Sequence, residues 1–311
     1  MSERHLAPIA VFGYRRASHL SETLDALESC PEFAASPVFV FSDGPKTEAV
    51  AGDVSRTREM LHARRRENMT IVEAETNQGL AASIVAGVTR LCDQYGRVIV
   101  IEDDLIVHPT ALQWFNTCLD HYAEEPNVFQ IGAYQYKVPE FEERQTGTVQ
   151  RFVTSWGWAT WKPAWDYFDA AATGWEAIDT NTALEREFNC GGAYPFDEML
   201  RLQIAGKIDS WAIRWWWTVF RAGGVSILPP RSLVRNTGFD GTATHNSIGW
   251  LKRFAAPPQP KLWEGAGPPA LPSSSQISGE DVAAFRRALR RTGAFRNRRI
   301  KQTLRAFGLF R

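Results

Sequence analysis

Val98-Ile99-Val100-Ile101-Glu102-Asp103-Asp104 is the stretch on which the reading of this chain turns. A run of apolar residues ending in three acids describes a short strand buried on both faces, as in a parallel sheet, with a charged carboxyl end. Three carboxylates crowded there repel one another and raise each other's pKa. A divalent cation relieves that repulsion, and hard carboxylate oxygens suit Mg²⁺ or Mn²⁺. Strand carboxyl ends are also where open α/β sheets bind their ligands. The plain alternative is a solvated acidic turn.

Working outward, the first half alternates apolar runs with helical patterns. Residues 8–14, 38–41 and 70–72 read as strands, and 19–28, 49–66 and 80–95 as helices, with Asn77-Gln78-Gly79 breaking the chain before the last of these. Pro109 opens a further helix. Strands alternating with helices of ten to fifteen residues predict βαβ units and a mostly parallel sheet. The second half is less regular, holding nine of the twelve Trp between Trp156 and Trp217. Gly223 and Gly224 precede an expected strand at 225–228.

Formal neutrality hides a polarity along the chain. From Phe285 to Arg311 there are ten Lys or Arg and no acid, so residues 1–284 hold 25 basic and 35 acidic residues, a net of −10. The four cysteines stand far apart without a Cys-x-x-Cys pair, which excludes a zinc ribbon and predicts free thiols in a reducing compartment. No segment approaches eighteen apolar residues, and the start, Met-Ser-Glu-Arg-His, has no signal-like core, so the expectation is a cytoplasmic protein. No Gly-x-Gly-x-x-Gly or Walker A loop is present, which removes dinucleotide and ATPase readings.

Residues 256–277 are rich in Pro and Ser and read as a linker, and 278–311 as a basic amphipathic tail with Ser278 as helix cap. Phe285, Leu289, Ile300, Leu304, Phe307 and Phe310 lie among its cations. That pattern predicts peripheral binding to an anionic membrane on its inner face, rather than to nucleic acid. Packing of the tail on the acidic body is the alternative.

The order of these features resembles a GT-A nucleotide-sugar glycosyltransferase. Pro8-Ile-Ala-Val-Phe-Gly-Tyr-Arg-Arg16 is similar to the opening strand and Arg of that fold, and Phe41-Ser-Asp43-Gly44 to its second strand. Asn77-Gln78-Gly79-Leu-Ala and Glu102-Asp103-Asp104 resemble the third landmark and the metal motif. Ser155-Trp-Gly-Trp158 and the run from Pro230 to His245 extend the likeness over about residues 6–250. It is strongest toward bacterial family-2-like transferases and the N-acetylglucosaminyltransferase that initiates complex N-glycans. The resemblance implies a GT-A domain over 1–255, its nucleotide-binding half at about 1–135 and its acceptor half at 136–255.

The same resemblance assigns roles. Asp104 takes the metal, since it ends the acidic motif, and His245 is a further metal or diphosphate ligand, or else a polar surface residue. Glu102 and Asp103 bind the ribose or metal-bound water, or lend electrostatic support alone. Asp43 bonds the base or forms a turn. Arg16 meets the base or diphosphate, or is a surface cation. Asn77 and Gly79 approach the nucleotide or cap the following helix.

An inverting transfer needs a carboxylate base for the acceptor hydroxyl. The related eukaryotic enzyme places it in a Trp-Asp-Asp-Trp run about ten residues before a Gly, where this chain has Trp211-Ala212-Ile213 and no acid. Asp209 is the nearest carboxylate and Asp197 the second candidate, a helix cap being the alternative at both. Trp156 or Trp158 is assigned to a sugar pocket and Trp215-Trp216-Trp217 to packing, because three successive helical residues cannot face one site. The expected activity is metal-dependent transfer from a nucleotide sugar, UDP-linked by preference, to a glycan or lipid-linked acceptor in cell-surface polysaccharide synthesis. Rival readings are a sugar-phosphate nucleotidyltransferase and a non-catalytic carbohydrate-binding protein.

Overall fold

The computed structural model describes residues 5–238 and 260–292. The helices are α1 (Ala17–Glu28), α2 (Ala51–Ala63), α3 (Leu80–Tyr95), α4 (Ala111–His121), α5 (Lys162–Trp165), α6 (Ala177–Thr180), α7 (Thr182–Phe188), α8 (Phe196–Ile204), α9 (Trp211–Arg221) and α10 (Gly279–Arg291). The strands are β1 (Ile9–Gly13), β2 (Val38–Ser42), β3 (Met69–Glu73), β4 (Arg97–Glu102), β5 (Leu105–Val107), β6 (Val128–Gly132), β7 (Thr148–Gln150), β8 (Trp158–Trp161), β9 (Val225–Leu228) and β10 (Val234–Asn236).

Eight strands form one sheet in the order β3-β2-β1-β4-β8-β6-β9-β7, and β5 and β10 pair separately. Pairings among β3, β2, β1 and β4 are all parallel, while β8 runs antiparallel to both β4 and β6. Flanked by helices on both faces, this is the mostly parallel, Rossmann-like GT-A architecture that the sequence predicts.

Period-two alternation explains the two cores. Val98 and Val100 of β4 pack with Ala10 and Phe12 against Ile84, Val88 and Leu91 of α3. Ile99 and Ile101 point the other way, with Ile9 and Val11, onto Leu20 and Leu24 of α1 and Leu112 and Phe115 of α4. A strand buried on both faces can therefore be apolar throughout, as β4 is until Glu102. Burial of such side chains is worth about 1.5–3 kcal/mol each.

The Trp-rich half extends the first of these cores. Trp215, Trp216 and Trp217 of α9 are all buried, yet their indole N–H groups donate to three different acceptors: Gln130 Oε1 at 2.8 Å, the Phe188 carbonyl at 3.2 Å and the Thr173 carbonyl at 3.2 Å. Packing, as expected, uses the triplet.

Two expectations about the C-terminal region change. Residues 260–277 do not hang as a linker. Trp263 is buried beneath the Arg231 guanidinium, 4.6 Å from its ring centroid, and its backbone N–H donates to the Ser232 carbonyl at 2.9 Å. The Tyr122 hydroxyl donates to the Pro272 carbonyl at 3.1 Å. Linker-like composition conceals these anchors because Pro and Ser dominate the counts.

The tail helix α10 is also part of the body. Ser278 caps it, accepting from the Asp281 N–H at 3.4 Å, and Phe285 and Leu289 sink into the core beside Tyr136 and Phe152. Arg287 donates to Glu140 at 2.7 Å, and Arg144 pairs with Asp281 at 2.8 Å. The apolar stripe expected to meet lipid instead meets protein over this stretch. Residues 293–311, with the remaining apolar positions named above, lie outside the described residues. No helix among the described residues is long and apolar enough to cross a membrane.

Candidate active site

The chain leaves β1 toward β2 and β3 on one side, and β4 adds on the other. A strand order that reverses at β1/β4 opens a crevice at the carboxyl ends of those two strands, where open α/β sheets take their ligands. Arg16 follows β1 there and Glu102-Asp103-Asp104 ends β4.

Arg16 spans that crevice. Its Nη2 bonds Asp103 Oδ1 and donates to Asp104 Oδ2 at 2.9 Å, and its Nε lies 3.4 Å from Asp103 Oδ2. Burial alone would favour the neutral guanidine, but Asp103 and Asp104 outweigh it and hold Arg16 more firmly charged than in water. Nη1 is buried without a hydrogen-bond partner among the described residues.

The three acids differ in environment. Glu102 is pushed up to about 8 by burial, then by the neighbouring charges of Asp104 and Asp103, so its carboxyl is protonated at neutral pH. Burial also raises Asp103, opposed by Arg16. The Asp103 carbonyl accepts from Thr23 Oγ1 at 3.0 Å, which fixes the turn. Among the described residues Asp104 Oδ1 meets only a long contact of 3.4 Å from Asn236 Nδ2, and its carbonyl accepts the Thr237 N–H at 2.8 Å. Gly238 follows so closely that a Cβ there would overlap the Asp104 carboxylate.

Among the described residues no group of three His, Cys, Asp or Glu forms a metal cage. The donor set fits a different arrangement. Mg²⁺ is commonly held by one or two carboxylates together with substrate phosphates rather than by an all-protein cage. The weakly engaged Oδ1 of Asp104 among the described residues, with Asp103 beside it, suits a cation shared in that way. His245 lies outside the described residues.

Asp43 ends β2 and is consumed by the neighbouring loop. Its Oδ1 accepts the N–H groups of Gly44 and Gln78, each at 2.8 Å, and its Oδ2 accepts Asn77 Nδ2 at 2.9 Å and the Gly79 N–H at 3.0 Å. Asn77 also donates to the Gly44 carbonyl at 2.9 Å. It caps no helix, and the start of α3 has no side-chain cap. Gly79 occupies φ +80°, a region that suits glycine, and Asp209 Oδ2 would stand 3.3 Å from a Cβ placed on it.

That contact brings Asp209 to the loop pinned by Asp43. Asp209 is half exposed and lies 3.6 Å from Arg214 Nη2. The cap of α9 is Ser210, not Asp209. Asp197 differs: it is buried, accepts Asn189 Nδ2 at 2.6 Å and sits 3.5 Å from Arg201 Nη2. Its backbone N–H donates to Asn189 Oδ1 at 2.9 Å, a reciprocal pair that fastens the start of α8 to the end of α7.

Trp158 is fully buried in β8, stacked on Trp211 at 4.9 Å between ring centroids. It is a core residue. Trp156, by contrast, is partly exposed, meets Tyr134 edge-on at 4.5 Å and lines a cavity of about 220 Å³. Gly157 between them, at φ +64°, lies against Val234 and Ile101, which ties this wall to the acidic end of β4. Sequence reasoning missed Tyr134, Tyr194 and Phe196 as cavity residues. Aromatics are ordinary core residues, and only topology gathers these three.

No protein-family model matches the sequence, and no curated protein does. Among solved structures, the mannosyltransferase PcManGT from Pyrobaculum calidifontis, in complex with GDP-Man and Mn²⁺, is similar at 16% identity and a TM-score of 0.35, over 51% of this chain and 45% of that one. An active-site variant of LgtC is similar at 12% identity and a TM-score of 0.37, over 56% of this chain and 65% of that one. TarS from S. aureus is similar at 15% identity and a TM-score of 0.33, over 50% of this chain and 47% of that one. The chain thus spans less than two thirds of each of these structures.

Proposed function

We propose that the chain is a glycosyltransferase that moves a sugar from a nucleotide diphosphate donor, UDP-linked by preference, to a glycan or lipid-linked acceptor with inversion, in the making of cell-surface polysaccharide. The observation that carries this reading is the charge pattern at the β1/β4 crevice: a buried guanidinium, its Nη1 group unpaired among the described residues, facing an acidic strand end. A lectin surface has no use for that arrangement, whereas a diphosphate needs both signs of charge.

Asp104, with Asp103, would hold a divalent cation of the Mg²⁺ or Mn²⁺ kind, which as a Lewis acid offsets charge on the departing diphosphate. Arg16 Nη1 would donate to a phosphate oxygen, with Asp103 and Asp104 orienting its plane. The Asn77–Gly79 loop, rigid because Asp43 accepts four of its donors or neighbours, would form the wall of the nucleotide site. Asp209, half exposed beside Gly79, is the better placed of the two carboxylates to accept the acceptor's hydroxyl proton. Asp197 is occupied by Asn189 and Arg201 and serves the start of α8 instead.

Calorimetric titration with UDP, GDP and dTDP, each with and without Mn²⁺, tests the reading. The expected outcome is binding of one of them, strengthened by Mn²⁺, and lost in its Mn²⁺ dependence in Asp104→Ala. No binding of any nucleoside diphosphate under either condition would overturn it.

A further inference from the structure

Arg58 lies on α2, outside the crevice, and its contacts converge on the ends of two strands. Val54, Thr57 and Leu61 bury one face of α2. Arg58 and His62, four residues apart on the helix, both reach Glu73 of β3: Arg58 Nη1 lies 3.5 Å from Glu73 Oε2, and His62 Nε2 2.7 Å from Glu73 Oε1. The guanidinium then crosses the carboxyl ends of β3 and β2. Its Nη2 donates to the Ala74 carbonyl at 2.6 Å and the Asp43 carbonyl at 3.3 Å, with the Ser42 carbonyl at 3.5 Å, and its Nε donates to Ser42 Oγ at 3.3 Å. β3 is the edge strand, with β2 as its one partner among the described residues. Arg58 thus supplies a hold at this strand end that no second neighbouring strand among them supplies.

We propose that Arg58 is a positioning residue for the nucleoside end of the site: by bonding the carbonyls of Asp43 and Ala74 at once, it fixes the spacing of the two loops, 43–47 and 74–79, that form the nucleotide wall. The proposal rests on the transferase reading for the nucleotide, though not for the clamp. The two loops already meet without slack. A Cβ on Gly44 would stand 2.5 Å from the Thr76 carbonyl carbon, and Asn77 Nδ2 donates to the Gly44 carbonyl at 2.9 Å. Asp43 gathers the N–H groups of Gln78 and Gly79 with its side chain, and its own carbonyl is what Arg58 holds. A shift of either strand end therefore reaches the Asn77–Gly79 loop through groups in contact.

A guanidinium suits this task. Its planar fork of N–H donors reaches several acceptors in fixed directions, whereas an ammonium concentrates its charge at one point on a flexible stem. Two other roles fit less well. A surface ion pair would need Glu73 alone, and partly exposed pairs contribute little. A direct phosphate contact would need uncommitted donors, and Nε and Nη2 are spent on Ser42, Asp43 and Ala74.

The test uses the full chain with Arg58→Ala and Arg58→Lys, read by amide hydrogen exchange and by calorimetric titration with UDP, GDP and dTDP, each with and without Mn²⁺. Arg58→Lys keeps the charge and the stem, so it reports even where the alanine variant does not fold. In both variants exchange should quicken about tenfold over 43–47 and 74–79 and stay parental in β4 and α4. The nucleoside diphosphate that the parent binds should lose about tenfold in affinity, the loss of roughly one hydrogen bond, while its strengthening by Mn²⁺ keeps the parental ratio. Parental loop exchange in Arg58→Lys overturns the proposal, because a point charge would then suffice. Loosening that spreads evenly into β4 and α4 overturns it too, as do looser loops with parental affinity. A Mn²⁺ ratio that falls with the affinity would move Arg58 to the diphosphate and likewise overturn it. Loosening confined to the two loops, in a chain that binds no nucleoside diphosphate, would uphold the clamp and sink the transferase reading alone.

Discussion

Asp43 separates two roles that a carboxylate at a strand end can play. If it pins the Asn77–Gly79 loop, replacing it should cost stability before it costs anything else. Asp43→Ala strands three backbone N–H groups and one side-chain amide that now point at a single buried carboxylate. A hydrogen bond to a charged group contributes about 1.5–3 kcal/mol, but a loop edge can recruit water, so ~1 kcal/mol per backbone donor is the working figure. The sum, ~3 kcal/mol, corresponds to a fall in Tm of about 5 °C for a chain of this size.

Asp43→Asn is the more telling variant. Its amide oxygen can replace only one of the two carboxylate oxygens, and its NH₂ group must then face two donors, either Asn77 Nδ2 with the Gly79 N–H or the N–H groups of Gly44 and Gln78. The isosteric change should therefore destabilise nearly as much as Ala. Urea denaturation followed by far-UV circular dichroism gives the midpoints, and UDP titration of the same samples gives affinity. An Asn variant with the parental midpoint and lost UDP affinity would refute the reasoning, because the carboxylate would then be serving the nucleotide and not the loop.

Other expectations follow the same geometry. Asp209→Asn should keep donor binding and lose about 10²–10⁴-fold in turnover, as removal of a general base does, whereas Asp197→Asn should show its main effect as a lowered melting temperature; the reverse pattern would move the base to Asp197. Phe285→Ala should cost about 3–5 kcal/mol as a core truncation, so a chain ending at Ser278 should be unstable rather than a soluble enzyme freed from membranes; an undiminished melting temperature in that truncation would restore the anchor reading. Burial pushes Cys30 up to about 11 and Cys92 and Cys190 up to about 12, and Cys118 is raised as well. Since thiolate forms only as pH climbs toward those values, Ellman's reagent at pH 8 should label the native protein negligibly and all four thiols after denaturation, and rapid native labelling would show that these thiols are not shielded.

What could be read from the chain followed how local the cause was. The helix at 80–95 was legible to the residue, because Gly79 and Gly96 punctuate a clean apolar stripe and both sit at positive φ. β4 was legible because a strand buried on both faces needs no alternation. β8 was not: Trp158–Trp161 is four residues long, and its strand character comes from pairing with β4, some sixty residues away in the chain. β5 and β10, three residues each, are defined by one another across a gap still longer.

The tail shows the limit from another side. An amphipathic helix announces that it has an apolar face and says nothing of what covers it. Lipid and protein satisfy Phe285 and Leu289 equally well in hydrophobic terms, and the decision lies with Tyr136 and Phe152, far upstream. Function follows the same rule. The acids of the β4 end were visible as a charge problem, and a cation was one solution. Arg16 is a second solution, carried by a different strand, and the two need not exclude each other. A guanidinium that bonds Asp103 and Asp104, with its Nη1 unpaired among the described residues, would leave Asp104 Oδ1 to the cation proposed above and offer a donor to the phosphate beside it. Arg16 thus offsets part of the charge of the acid cluster, enough to let the strand end fold, and the cation and the diphosphate proposed above would each meet a group of opposite charge there.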